Sequence, residues 1–257
     1  MKLGFCGGVD KAAEIKAWGY DYVELALAPL AALSDAAFAA ARQTLCDSGL
    51  PCLACNVFLP GSVRVTGLAV DQAANRRYVE IALARAASLG AGVVVFGSSG
   101  ARNLPTGLSG SQGLTQIIDF ARMAAAIAEP LGITLVIEPL NATESNIINR
   151  VSEGLILVQA VNHPCFKVLA DTYHMRIEHE DLTVLASAGS DLRHVHVSNL
   201  LGRKIPLVSD RIEHALLIQL LRSIKYTGHL SIEAGFRADQ AAEACEALCL
   251  FRELTGE

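Results

Sequence analysis

LVIEPLNATESN, residues 135–146, starts apolar and turns polar at Glu138. An apolar run with no polar face reads as a strand covered on both sides, the habit of parallel sheets. Pro139 has no N–H to give to a ladder, so the strand stops at Glu138. A second carboxylate, Glu144, follows six positions on. A buried strand that ends on a charge needs a partner for that charge, because a lone carboxylate is better solvated by water.

Runs of the same kind recur roughly every 30 residues, with helical stretches between them. They are KLGFC (2–6), YVELA (22–26), CLACNV (52–57), GVVVFG (92–97), TLVIE (134–138), KVLAD (167–171), HVHVS (194–198) and LSIEA (230–234). The intervening segments 36–49, 72–91, 114–132 and 213–228 are rich in Ala and Leu, and several close on glycine, as helices do. Strand alternating with helix means parallel strands joined by crossover helices. Eight such units in 257 residues predict a closed (β/α)8 TIM barrel, one domain over residues 1–257. A doubly wound open sheet would favour a glycine fingerprint after the first strand. FCGGVDKAAE does not carry G-x-G-x-x-G. FGSSGARNLPTG (96–107) lacks the Lys-Ser/Thr pair of a P-loop and reads either as a long strand-to-helix loop or as one wall of a pocket.

The bulk properties narrow the function. The net charge is −5, so there is no basic field for a polyanion and nucleic acid is excluded as a partner. No apolar run approaches the ~18 residues of a membrane span, and the N-terminal stretch lacks the apolar core of a signal peptide. The expectation is a soluble, cytoplasmic protein without a membrane partner. Seven cysteines, an odd number, argue against a disulfide framework. Cys52 and Cys55 form a lone C-x-x-C with no second pair for a zinc ribbon, so the cysteines read as small buried hydrophobes.

In a barrel of this kind chemistry gathers where strands end. The fifth strand delivers Glu138, the sixth Asp171, the seventh His196 and the eighth Glu233. Any one of these, taken alone, reads as a helix cap, a turn residue or a core histidine. Four on consecutive strands read as a metal site. Three crowded carboxylates raise one another's pKa, and a divalent cation removes that cost. Mostly oxygen donors with one imidazole suit Mn²⁺, Mg²⁺ or Co²⁺. His194 and His196 face the same way, and His196, nearer the strand end, is the better ligand, with His194 one layer deeper. Glu24, ending the second strand, either reaches the pocket or starts a surface loop. Phe58, Leu59, Pro60 and Phe96 are either an apolar wall for a sugar or core.

These same residues carry a family resemblance. From GYDYVELA through NVFLPG, VVVFGSSGARNLPTG, IEPLNATESNIINR, ADTYHM and RHVHVSN to GHLSIEA, the chain resembles the xylose-isomerase-like TIM-barrel superfamily, in its sugar phosphate isomerase/epimerase and ketose 3-epimerase branch. The resemblance implies one divalent ion, most often Mn²⁺ with Mg²⁺, Co²⁺ or Zn²⁺ as alternatives, held by Glu138, Asp171, His196 and Glu233. It also implies that Glu138 and Glu233 are the catalytic acid/base pair. Glu144 and His174 match substrate-binding positions, as does Arg203, which stands one position later than the family pattern. The implied reaction is proton transfer next to a carbonyl through a cis-enediolate, in a metal-dependent ketose epimerase or aldose–ketose isomerase acting on a small sugar. An inosose dehydratase-type lyase and a non-catalytic sugar-binding barrel are the competing readings. The cousin with three zinc ions that repairs DNA has many more histidines and is set aside. Barrels of this family often pair, so a homo-oligomer, dimer or tetramer, is a further expectation. Arg237 is the one basic residue near the last strand, which favours a free sugar over a phosphorylated one.

Overall fold

The computed structural model describes residues 1–199 and 202–256. Eight parallel strands close a barrel in chain order among them. They are β1 (Leu3–Gly7), β2 (Tyr22–Ala26), β3 (Cys52–Asn56), β4 (Val93–Phe96), β5 (Thr134–Ile137), β6 (Phe166–Asp171), β7 (Leu192–Val197) and β8 (His229–Ile232). The seam is shut by β1 against β8, with Leu3 opposite Leu230 and Phe5 opposite Ile232. This is the (β/α)8 TIM barrel that the strand–helix alternation predicts.

The helices follow their local signals. Asp35–Ser48 starts at Ser34, whose side chain caps the Ala37 N–H, and stops at left-handed Gly49. Gln72–Leu89 is capped by Asp71 and ends at Gly90. The third long helix begins at Gly110, four residues before its expected start, because Ser109 and Gln112 form a reciprocal capping box. Arg211–Ser223 is shorter than the segment 213–228 implies, since Lys225 takes a left-handed conformation. Among the described residues no helix is long and apolar enough to cross a membrane.

The period-2 alternation of the strands divides the molecule into two cores. The outward residues pack under the helices in one large apolar cluster that includes Val23, Val94, Phe96, Leu135, Ile137, Val168, Val195 and Leu230. The inward ones form a small cluster of Tyr22, Ala54, Val93, Val95, Val136 and Leu169 on the barrel axis. Two positions further along, the same inward face carries Glu24, Gly97, Glu138 and Asp171, and His196 and Glu233 stand two positions past the buried His194 and Ser231. The upper tier of the barrel is therefore polar where the lower tier is mostly apolar. Gly4 makes room for this arrangement: a Cβ there would fall 2.1 Å from the Tyr22 ring.

One open reading is decided here and one expectation is corrected. Phe58 and Phe96 are buried in the outer core, where they pack with Phe120 between strands and helices, so they line no sugar pocket. The cysteines are not uniformly buried. Cys52 and Cys55 are, but Cys46, Cys245 and Cys249 are exposed, because they occupy the solvent faces of helices Asp35–Ser48 and Gln240–Thr255.

Candidate functional site

Glu138, Asp171, His196 and Glu233 converge at the C-terminal mouth of the barrel. Each offers one ligand atom, and these four atoms lie within 4.8 Å of one another. His196 is central, with Nδ1 3.1 Å from Glu233 Oε2 and 3.3 Å from Glu138 Oε1. Asp171 serves two purposes at once. Its Oδ1 accepts from the Tyr173 N–H at 2.7 Å and caps the short helix Thr172–Ile177, which leaves Oδ2 for the cluster. The capping role expected of a lone strand-end aspartate and a place in the cluster are thus held by different oxygens of one side chain.

The segment after β4 shapes the position of Glu138. Arg102, at the end of the short helix Ser99–Arg102, is fully buried and donates from Nη2 to the Glu138 backbone carbonyl at 2.8 Å. Gly97 clears the space that the Glu138 carboxylate occupies. Sequence reasoning treats this stretch as a loop or a wall. It is a brace for Glu138, and neither a lone arginine nor a lone glycine inside GSSGAR announces that.

The electrostatics are those of a crowded anionic site. Burial pushes the Asp171 carboxyl up to about 8, helped by the charge of Glu233. Burial also raises Glu138, again with Glu233 adding to the effect and His196 opposing it. Burial would raise Glu233 too, but His196 and Arg203 hold it down at about 2. Arg203 reaches into the mouth from a left-handed backbone position, its Nη2 3.3 Å from Asp171 Oδ2 and 2.5 Å from Glu233 Oε2. The same guanidinium lies over the Tyr173 ring at 5.1 Å and 3.9 Å from Glu144 Oε1. Donor chemistry and charge both fit a hard divalent cation: three carboxylate oxygens and one imidazole nitrogen close together, with two carboxylates pushed upward by burial and, second, by the neighbouring Glu233.

His174 and Glu144 stand beside the cluster. The Asn141 backbone N–H points at His174 Nδ1 from 3.2 Å and its Nδ2 lies 2.8 Å from the same nitrogen. A backbone N–H can only donate, so Nδ1 accepts and the imidazole proton sits on Nε2. That Nε2 is buried without a hydrogen-bond partner among the described residues, 3.6 Å from Asp171 Oδ2. Burial and the nearby Arg203 hold the His174 pKa down at about 3, so the ring is neutral. Asn141 also donates to Glu144 Oε1 at 3.0 Å, which places Glu144 at the rim. Glu24 is the residue that sequence reasoning resolves least. It is no surface-loop residue but fully buried inside the barrel, hydrogen-bonded to His194 and His196.

Comparison with known proteins adds a lineage to this geometry. A family model described as xylose isomerase-like TIM barrel matches residues 12–251. A D-psicose 3-epimerase of Agrobacterium fabrum is 29% identical over 232 residues, which cover 88% of this chain and 77% of that protein. A D-psicose 3-epimerase of Ruminiclostridium cellulolyticum is 34% identical over 117 residues, 45% of this chain and 39% of the other. Among solved structures, that of a D-psicose 3-epimerase with D-tagatose from Clostridium cellulolyticum H10 superposes with a TM-score of 0.88 at 23% identity. It covers 99% of both chains and shows a shared fold.

Proposed function

The chain belongs to the xylose isomerase-like TIM barrel family, and from that footing we propose that it is a divalent-metal-dependent ketose epimerase. One observation carries the reading. Two glutamates from widely separated strands, Glu138 and Glu233, bracket the same imidazole nitrogen at 3.3 and 3.1 Å within a four-donor cluster. The relatives named as D-psicose 3-epimerases support the choice of epimerisation. The same reading takes a free ketose as substrate, Mn²⁺ as the ion and the cytoplasm as the compartment.

Glu138, Asp171, His196 and Glu233 would hold the ion, which when bound supplies Lewis acidity toward the substrate's oxygens. One glutamate removes the proton from the carbon next to the carbonyl, and the other returns a proton to that carbon from the opposite face. The reaction runs in both directions, so the two carboxyls exchange the roles of base and acid. His174 presents its Nε2–H as a hydrogen-bond donor to a substrate oxygen. Its neutral ring leaves proton transfer to the glutamates. Glu144 and Arg203, at the rim, grip hydroxyls and fix the orientation of the chain of carbons.

The test is incubation of metal-stripped protein, with and without added Mn²⁺, with D-fructose, D-psicose, D-tagatose and L-ribulose in D₂O. Mn²⁺-dependent interconversion at constant carbon skeleton, with one deuterium incorporated at the inverted carbon, is the expected result. Loss of water would identify a lyase, and conversion of ketose to aldose an isomerase. Turnover unaffected by chelator, or binding without turnover, would refute the proposal.

A further inference from the structure

Beneath the mouth lies a set of buried polar groups with no part in the proton transfers. Tyr22 and Glu24 project inward from β2, His194 and His196 from β7 and Ser231 from β8. All five are fully buried. Glu24 Oε2 lies 2.7 Å from His194 Nε2, and Glu24 Oε1 lies 2.8 Å from His196 Nε2. Ser231 Oγ donates to Glu24 Oε2 at 2.6 Å, and the Tyr22 hydroxyl lies 2.7 Å from Ser231 Oγ.

The donor and acceptor roles in this set follow from chemistry. An ionised carboxylate only accepts, so both imidazoles carry a proton on Nε2. The Ser231 proton is committed to Glu24, so Tyr22 donates to Ser231. Hydrogen bonds therefore run one way, from Tyr22 through Ser231 and from each histidine, and all terminate on Glu24. For His196 the consequence is directional. With Nε2 held by Glu24, the ring nitrogen facing Glu138 and Glu233 is Nδ1.

We propose that Glu24 is a positioning residue: by bracing both imidazoles of the H-x-H pair it fixes which nitrogen of His196, and at what ring angle, is offered to a divalent cation at the barrel mouth. The inference rests on the metal reading of the proposed function. Barrel interiors are ordinarily filled with branched apolar side chains. Here the fold instead buries a carboxylate, two histidines and two hydroxyls, and joins them to a candidate ligand. A carboxylate on the far nitrogen of a ligating histidine orients the ring and strengthens the donor.

The experiment uses the full chain, stripped of metal and labelled with ¹⁵N-histidine. Zn²⁺ serves as a diamagnetic probe for nuclear magnetic resonance, and Mn²⁺ affinity is measured by competition with a chelator. The unmodified protein should show His196 bound to Zn²⁺ through Nδ1 with its proton on Nε2. Glu24→Gln, which can accept from one histidine but turns an NH₂ toward the other, should weaken Mn²⁺ binding ~10–100-fold. Should that variant not fold, Ser231→Ala removes one of the carboxylate's donors and should still weaken Mn²⁺ binding several-fold, with Nδ1 remaining the bound nitrogen. Binding through Nε2, or variants that bind Mn²⁺ as tightly as the unmodified chain, would overturn the positioning role while leaving the metal site standing. If the unmodified chain binds neither ion, the metal reading falls and the inference falls with it.

Discussion

Replacing Gly97 with alanine should remove most of the activity while leaving the fold almost untouched. A Cβ built at position 97 falls 2.2 Å from Glu138 Oε2 and 3.3 Å from the carboxyl carbon. Carbon and oxygen that are not bonded rest at roughly 3.3 Å, so the carboxylate oxygen must retreat by about 1 Å. The strand cannot move instead. The Glu138 N–H is bonded to the Phe96 carbonyl at 3.2 Å, and its own carbonyl is held by Arg102 at 2.8 Å. Gly97 is not among the glycines with positive φ, so alanine is admissible for the backbone. The cost in stability is that of one side chain pushed off its rotamer, about 0.5–1.5 kcal/mol. For a chain of this length that lowers the melting temperature by only a few degrees, roughly 2–4 °C per kcal/mol. A reacting group misplaced by about 1 Å costs on the order of 10²-fold in turnover. Steady-state kinetics on the epimerised ketose and a thermal melt read the two effects separately. Gly92→Ala, at the other end of β4 with nothing within 4 Å of its Cβ, is the control and should behave as the unmodified protein. If Gly97→Ala keeps its kcat within a few-fold of normal, Glu138 is not the proton-transfer group and the assignment is wrong.

Other perturbations probe the rest of the site. Glu138→Gln and Glu233→Gln should each lower kcat by at least ~10²–10⁴-fold with an unchanged circular dichroism spectrum, and a near-normal rate in either would remove that glutamate from the acid/base pair. The metal-free protein should lose thermal stability as pH rises from about 6.5 toward 8. Burial and Glu233 put the folded-state Asp171 pKa at about 8, so over that range the folded chain keeps a proton that the unfolded one has lost, while the buried histidines held low, His174, His214 and His229, are neutral in both states. Saturating Mn²⁺ should flatten this slope, and melts at about pH 6.5 and pH 8 with and without the ion decide the matter. Gly4→Ala places a Cβ 2.1 Å from the buried Tyr22 ring and should destabilise the fold by about 1–3 kcal/mol or more, measured by urea unfolding.

The barrel was legible because strands covered on both faces leave a largely apolar record, and because the fifth, sixth and eighth runs carry a carboxylate at their ends. Glu138, Asp171, His196 and Glu233 could be named because each is the last chemically active residue its strand delivers, on four consecutive strands. The structure brings them close together. Phe96 was assignable too, since Val93, Val95 and Gly97 share the inward face and parity sends Phe96 outward. Glu24 was not resolvable, because its partners His194 and His196 lie 170 and 172 residues away, and a carboxylate ending a strand looks alike whether it meets water or histidine. Arg102 was hidden for a similar reason: its acceptor is a main-chain carbonyl 36 residues on, which no residue type betrays.

The missing side chain at Gly4 has a consequence for how such a barrel changes over generations. The Tyr22 ring fills volume that β1 gives up, so the two neighbouring strands trade space side by side, with Gly4 directly opposite Tyr22. Enlarging position 4 is tolerable only after position 22 has shrunk. Shrinking 22 first removes the hydroxyl that anchors Ser231. At this pair a larger residue at position 4 goes together with a smaller one at position 22, and a library that varies position 4 alone meets the ring.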